Sequence, residues 1–374
     1  MTLTHLEITS FRNVEHAQLD FTKNRNLFFG DNAQGKTNII EAIYLLCLAK
    51  SFRAREDSDL VPFDKKEFTI IGKFVDTHGI KRRVVVFYSV DQGKKITLDG
   101  KRVAQFSKLI GQFPVVVLSS HDFEITGGPP SQRRRFFNIF FSQSSQRYLE
   151  DLKEYERALK QRNNILTSIA MGKTISPGVL DVWSEQLISK GEALIKFRAK
   201  VIDEIRAHLA DNYHILTDSA ETLNITYQPN VPFKEPQEIS HNFRSALLKL
   251  SPKEKKRGIS LAGPHRDEFR FSIGGKDLRR FGSRGEHKSV LVSLKATEST
   301  FLHRKTETEP ILLLDDLYSE LDKDRGRNVL DLFPAESQVF ITGTSFDYEA
   351  VKNLQDESVD KDVFFVHSGQ VNRA

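Results

Sequence analysis

The eight residues Gly30, Asp31, Asn32, Ala33, Gln34, Gly35, Lys36 and Thr37 satisfy the spacing G-x-x-x-x-G-K-[ST]. They lie between an apolar run, Leu27 to Phe29, and a helical pattern over about Lys36 to Leu48. This stretch limits the fold more than any other, because the spacing is useful only where a buried strand ends in a tight turn that opens a helix. Glycines let consecutive backbone N–H groups turn toward phosphate oxygens, and the helix amino end adds partial positive charge. Lys36 is placed to bridge the terminal phosphates of a nucleoside triphosphate, and the Thr37 hydroxyl to ligate Mg²⁺. The loop predicts an α/β core. By itself it does not separate kinases, GTPases, helicases, transporters and chromosome-organising ATPases.

A second element narrows the choice. The run "ILLLDDLYSELD", Ile311 to Asp322, has four aliphatic residues ending in two carboxylates. That is how a buried central strand reads when its carboxyl end reaches a metal–phosphate site. Asp315 would hold the metal, and Asp316 is placed to polarise an attacking water as general base. A third element, "FGSRGEHKSVLVSLKATEST", puts Ser283 and Gly285 before a helix with apolar positions Val290, Leu291, Leu294 and Ala296. A Ser-x-Gly turn there offers a hydroxyl and N–H groups to an anion, or simply caps the helix.

Between these motifs the periodicity changes. "FTIIGKF", "RRVVVFY" and "KKITLDG" alternate with turn pairs and read as antiparallel hairpins across residues 68 to 99. From Gly127-Gly128-Pro129-Pro130 to about Pro252 the period is nearly four, with apolar stripes such as Leu149, Leu152, Tyr155, Leu159 and Leu187, Leu194, Val201, Ile205. Two long antiparallel helices joined at "GKTISPG" follow from that. The expected division is a head from 1–126 and 258–374, with a helical arm at 127–257.

The totals restrict the setting. Fifty-five basic residues against 50 acidic ones leave a formal charge of +5, which allows nucleic acid as a partner without demanding it. Cys47 is the only cysteine, so there is no intrachain disulfide framework and no Cys-x-x-Cys zinc cluster. A reducing, cytoplasmic setting is expected. The amino terminus has no apolar core after a basic start, and no run approaches the ~20 apolar residues that span a bilayer.

The order of motifs resembles the ABC-type ATPase head of the SMC superfamily: phosphate loop, helical insertion, Ser-x-Gly, Asp-Asp, then Ser319 to Asp322. More narrowly, "LTHLEITSFRN", "KSFR", "GGPPSQRRRFFN", "GPHRDEF" and "SRGEHK" together are similar to the RecF family of bacterial DNA repair proteins, from Leu3 to about Thr344. The resemblance implies a P-loop α/β head with a mixed central sheet, an antiparallel β lobe and a short inserted arm. It implies an ATP- and Mg²⁺-dependent homodimer that binds DNA, favours junctions of double and single strands at gaps, and works with RecR and RecO, and indirectly RecA, in repair, replication restart and the SOS response. Residue by residue, Gly30 to Thr37 and Asn38 would bind ATP, Arg12 and Asn13 would lie near it, and Ser283, Arg284 and Gly285 would reach it across the dimer. Two positions depart from the pattern: Glu286 stands where the family commonly has Gln, and Thr344 stands at the switch position where many transporters have His. Slow hydrolysis is expected from the missing imidazole. "VVLSSHDFEI" offers only Ser and Asp where a Q-loop glutamine would stand.

For DNA, affinity comes mainly from neutralising phosphates, and no base-reading motif is present. Lys50, Arg53 and Arg55, the triplet Arg133, Arg134 and Arg135, and Lys253 to Arg257 are the candidates. The triplet has a second reading, as a brace of the arm against the head. Two other functions remain open at this level: an ATP-binding structural clamp with no needed hydrolysis, and a transporter-like ATPase subunit.

Overall fold

Ile311, Leu312, Leu313 and Leu314 form a strand with every side chain fully buried, as an aliphatic run must be when both faces of its sheet are covered. It lies between Val115–Leu118 and Val339–Gly343, parallel to both. Beyond Val339–Gly343 come Arg25–Phe29 and Lys361–His367, also parallel, and the antiparallel edge strand Gln370–Arg373 closes the row. The helix Lys36–Leu48 leaves Arg25–Phe29 through the phosphate-type loop and is buried on nearly all sides, the expected state of a helix without a polar face.

The computed structural model describes residues 1–217, 221–316, 332–334, 336–344 and 361–374. The expected Ser319 to Asp322 element lies outside the described residues. Within the described chain two compact units form, Met1–Phe123 with Ile215–Asp218 and Lys288–Ala374, and Glu124–His214 with Ser219–His287.

The first unit also holds a six-stranded antiparallel sheet in the order Val14–Asp20, Thr2–Phe11, Glu67–Val75, Lys81–Ser89, Gly93–Leu98 and Lys101–Arg102. The expected hairpins are there. At the first turn Asp76 Oδ1 accepts from the backbone N–H groups of His78 and Ile80, at 2.9 and 2.8 Å, and Gly79 takes φ +78°. That is an Asx-type turn with glycine where a side chain is disfavoured. Exposed Lys101 and Arg102 form the last strand, and charge there discourages pairing with another chain.

The second unit contains helices Pro130–Ser144, Gln146–Ala170 and Ile239–Arg257, and most of Val179–Thr217. The two long helices meet at the expected turn. Pro252 does not end the third one; it runs on to Arg257 and stops at Gly258, φ +70°. The arm was expected to close at 257, yet 258–287 packs with the helices. Two contacts explain this. Glu268–Ile273 pairs antiparallel with Leu223–Gln228, a strand too short to stand out in sequence. Asp267, fully buried, accepts from Arg198 Nη1 at 2.6 Å, from the Asn230 backbone at 2.8 Å and from the Tyr227 hydroxyl. The "GPHRDEF" segment is therefore an internal anchor: Pro264 O also accepts from Arg198, and His265 Nδ1 meets the Tyr155 hydroxyl at 2.5 Å. Burial lowers the His265 pKa to about 4, so its ring is neutral near pH 7. Among the described residues no helix is long and apolar enough to cross a membrane.

Candidate functional site

The loop Gly30 to Gly35 can turn as it does because of its glycines. Gly35 has φ +114°, and a Cβ there would lie 2.6 Å from Asn13 Oδ1, so conformation and space both exclude a side chain. Lys36, 4% exposed, folds along the inside of the loop and donates from Nζ to Gly30 O at 2.7 Å and Asp31 O at 2.8 Å. Its ammonium is thus held at the amino end of a buried helix, where anions are favoured.

Thr37 reaches the opposite strand. Its Oγ1 donates to Asp315 Oδ1 at 2.8 Å, although 278 residues separate the two. Thr342 Oγ1 donates to the same oxygen at 2.8 Å and accepts from the Asp316 backbone N–H at 2.8 Å. Burial raises the Asp315 pKa, and the hydrogen bonds from Thr342 and Thr37 act against that rise. Asp316 turns the chain with φ +52°, a conformation costly for a residue with a Cβ and found most often at functional sites.

The loop is braced from two sides. Asn13 Nδ2 donates to Gln34 O at 3.2 Å, and Asn38 Nδ2 donates to Asn13 Oδ1 at 2.7 Å. On the other side, Ser368 N–H donates to Gln34 Oε1 at 2.6 Å and Gly369 N–H to Gln34 O at 2.9 Å. Arg12, at φ +56°, makes a bidentate pair with fully buried Glu41, both N···O distances being 3.0 Å, and donates to Asp59 O at 2.9 Å. Ser51 also donates to Glu41. Arg53, an exposed residue, joins this group through Asn38 Oδ1 at 3.3 Å and Glu41 at 4.0 Å.

Around Lys36 the structure gathers Arg12, Asn13, Gly30 to Asn38, Asp315 and Asp316. Glu41, Thr342, Ser368 and Gly369 complete the group and were not singled out from sequence. The clue to Glu41 was its place one helical turn past Thr37, inside an otherwise apolar helix. Thr342 lies two positions before the expected switch residue Thr344, and it is Thr342 that holds Asp315.

Ser283, Arg284 and Gly285 form their own cluster in the second unit. Ser283 Oγ accepts from Glu286 N–H at 3.2 Å, and Glu286 Oε2 accepts from Ser283 N–H at 2.6 Å, a reciprocal capping box for helix Arg284–Thr306. Hydrogen bonds to the carboxyl from the Ser283 backbone N–H, first, and the Ser283 side chain hold Glu286 below its usual pKa. The Glu at this position is thereby tied to its own helix end.

Where a Q-loop was sought, Asp122 Oδ2 accepts from Ser119 N–H at 2.8 Å, and Asp122 lies 3.6 Å from Lys295 Nζ. Lys295 also sits 3.5 Å from Glu298, whose pKa burial pushes up to about 7. Among the basic candidates, Lys50, Arg53 and Arg55 are exposed. Arg133 is not: 4% exposed, it pairs in bidentate fashion with Glu268 at 2.7 and 2.9 Å and donates to Gly128 O. Arg134 Nη1 donates to Asp267 O at 2.9 Å, and Arg135 is exposed. Arg133 and Glu268 lie in the same unit, so the pair is internal to it, and a guanidinium satisfied indoors has nothing left for phosphate. Lys253, Lys255, Lys256 and Arg257 stay exposed, while Glu254 among them is buried against Arg162 at 2.6 Å.

Residues 2–369 match the model of the RecF/RecN/SMC N terminal domain. The DNA replication and repair protein RecF of Geotalea uraniireducens is 36% identical over 374 residues, covering 99% of this chain and all of that protein. RecF of Listeria monocytogenes is 33% identical over 380 residues, with both chains covered in full. The solved structure of the recombination mediator protein RecF-ATP in the RecFOR pathway superimposes with a TM-score of 0.90 at 29% identity, covering all of this chain and 97% of that one. An SMC head bound to the C-winged helix domain of ScpA, at 15% identity and a TM-score of 0.56, shares the fold.

Proposed function

This chain belongs to the RecF family, and from that premise we propose that it is an ATP-gated DNA-binding protein of recombinational repair. The carrying observation is the convergence of Lys36, Thr37 and Asp315: an ammonium in the loop and, beside it, a hydroxyl and a carboxylate sharing one hydrogen bond of 2.8 Å. Two oxygen donors from the protein, completed by phosphate oxygens and water, suit Mg²⁺, a hard cation that keeps several non-protein ligands. Thr37 and Asp315 would hold that ion, and its chemistry would be to neutralise charge on the terminal phosphates. Lys36 orients the same phosphates. Asp316, its backbone fixed by Thr342, is assigned to the attacking water as general base.

Ser283 and Gly285 are assigned to the nucleotide of a second copy, so that ATP closes a homodimer and hydrolysis opens it. The exposed position of Ser283 at a helix amino end supports that role. DNA is the partner, at duplex and gapped single-/double-strand junctions, with RecR and RecO and through them RecA, in a cytoplasmic setting. Relatives named for DNA replication and repair, and a solved relative named with ATP and the RecFOR pathway, support this reading. Family membership argues against the transporter reading.

Sedimentation of the protein with ATP, and with a non-hydrolysable analogue, tests it directly. Wild type should sediment as a dimer with either nucleotide, Lys36→Ala should bind neither, and Ser283→Arg should bind ATP but stay monomeric. Dimerisation of Ser283→Arg in ATP would overturn the shared site. The structural-clamp reading keeps one supporting observation, the commitment of Glu286 to its helix cap. Equal single-turnover hydrolysis by Asp316→Asn and wild type, with and without gapped DNA, would favour it.

A further inference from the structure

Within the second unit lies a cavity of about 530 Å³ apart from the nucleotide site, with Arg133 the one expected DNA contact in its wall. Its walls include Arg270 on strand Glu268–Ile273, the consecutive pair Arg279 and Arg280, and Phe281. All three arginines are exposed, and none has a side-chain hydrogen bond or an ion pair among the described residues. Two carboxylates share the wall, but both are engaged. Glu268 is bound at both oxygens by Arg133, and Asp277 Oδ1 accepts from the Arg280 backbone N–H at 3.1 Å, capping the short helix Leu278–Phe281.

With Glu268 neutralised by Arg133, three guanidinium groups face only Asp277 about this cavity, a net positive potential that a polyanion relieves. Guanidinium also matches phosphate geometrically, offering a planar fork of donors. Phe281 adds a different property. It is 70% exposed, on a wall that mixes the arginines with Phe269, Phe271 and Leu278, and its ring face is open to a ligand. Arginines that track a phosphate backbone beside an aromatic face are the combination used to hold single strands, whose unstacked bases can lie on the ring. A duplex hides its base faces and gains nothing from such a ring.

We propose that this cavity is a binding groove for single-stranded nucleic acid, with Arg270, Arg279 and Arg280 on the phosphates and a base stacked on Phe281. The inference rests on the reading of the chain as a DNA-binding protein and deepens it. It assigns the single-stranded side of a junction to residues immediately before Ser283. It also gives the phosphate contacts to Arg270, Arg279 and Arg280 and not to Arg133 in the same wall, whose guanidinium is taken by Glu268.

The test is fluorescence anisotropy with the full chain in ATP, using a labelled single-stranded thymidine oligonucleotide and a blunt duplex of equal length, each at several salt concentrations. Phe281→Ala should weaken single-strand binding roughly tenfold and leave the duplex curve in place. Arg279→Glu combined with Arg280→Glu should weaken single-strand binding further and flatten its dependence of log affinity on log salt by roughly 0.7 per lost phosphate contact. Binding of a fluorescent ATP analogue should match wild type in every variant, which reports an intact fold. Failure of wild type to bind either DNA overturns the DNA-binding reading and the groove together. Wild-type binding with an unchanged Phe281→Ala curve, or an equal loss on duplex, overturns the groove alone.

Discussion

The Thr342 hydroxyl donates a 2.8 Å hydrogen bond to Asp315 Oδ1, and both residues are buried. The bond ties the end of one central strand to the end of its parallel neighbour, at the oxygen that Thr37 also uses. Asp315 is held in place by two hydroxyls from different parts of the chain.

Thr342→Val keeps the volume and removes the donor to Asp315 and the acceptor for Asp316 N–H. Stability should fall by about 1–3 kcal/mol, the usual cost of leaving buried polar groups without partners. Urea unfolding measures that, and ATP titration with and without Mg²⁺ should show that the metal-dependent part of affinity shrinks. A variant as stable as wild type, with an unchanged Mg²⁺ effect, would show that Thr342 does not position Asp315.

Gly35→Ala should lose nucleotide affinity by more than about tenfold, because a left-handed backbone and the Asn13 side chain both oppose a methyl group. Gly79→Ala is the control. It has a positive φ of 78° but no atom within 4 Å of the new Cβ, so it should cost only about 1 kcal/mol of stability. Equal ATP affinities for the two variants would contradict the steric argument.

Removing one member of the Arg198–Asp267 pair leaves the other buried and uncompensated. Arg198→Met and Asp267→Asn should each destabilise by roughly 3–5 kcal/mol. The double variant should lose clearly less than the two losses added, since the pair acts as a unit. Thermal denaturation of the four proteins checks this, and strict additivity would count against the anchor.

Glu298 makes stability depend on pH. Its folded pKa, about 7, lies above the ordinary 4.5, so between those values the folded chain binds more protons than the unfolded one. Stability therefore falls as pH rises from about 4.5 to about 7 and levels off above that. Lys295, 3.5 Å away, eases the charging of Glu298, while Asp122 opposes it. Glu298→Gln should flatten that part of the curve, measured by denaturant titration between pH 5 and 8. An unaltered slope would place the effect elsewhere.

Much of the local structure around the site is readable in the sequence. The loop spacing, the aliphatic run into Asp315-Asp316 and the Ser-x-Gly turn are local patterns, and each states its element within a few residues. What failed to show was whatever depends on a distant partner. Leu223–Gln228 becomes a strand because Glu268–Ile273 lies beside it, and residues 258–287 join the arm unit because Arg198 buries Asp267. Arg133 looked like a DNA contact because nothing near it in sequence reveals Glu268 as its partner, 135 residues on.

By itself, then, the amino-acid sequence determined the class of core, the phosphate loop and the order of motifs, because strand runs, helix periods and glycine turns are local consequences of sterics and burial. Tertiary structure alone decided which charges are spent internally and which face outward. It paired Arg133 with Glu268, gave Asp315 its second hydroxyl in Thr342, and left Arg270, Arg279 and Arg280 without an ion pair among the described residues. A charge's role depends on the neighbours that folding brings within a few ångströms, and spacing along the chain does not encode that distance.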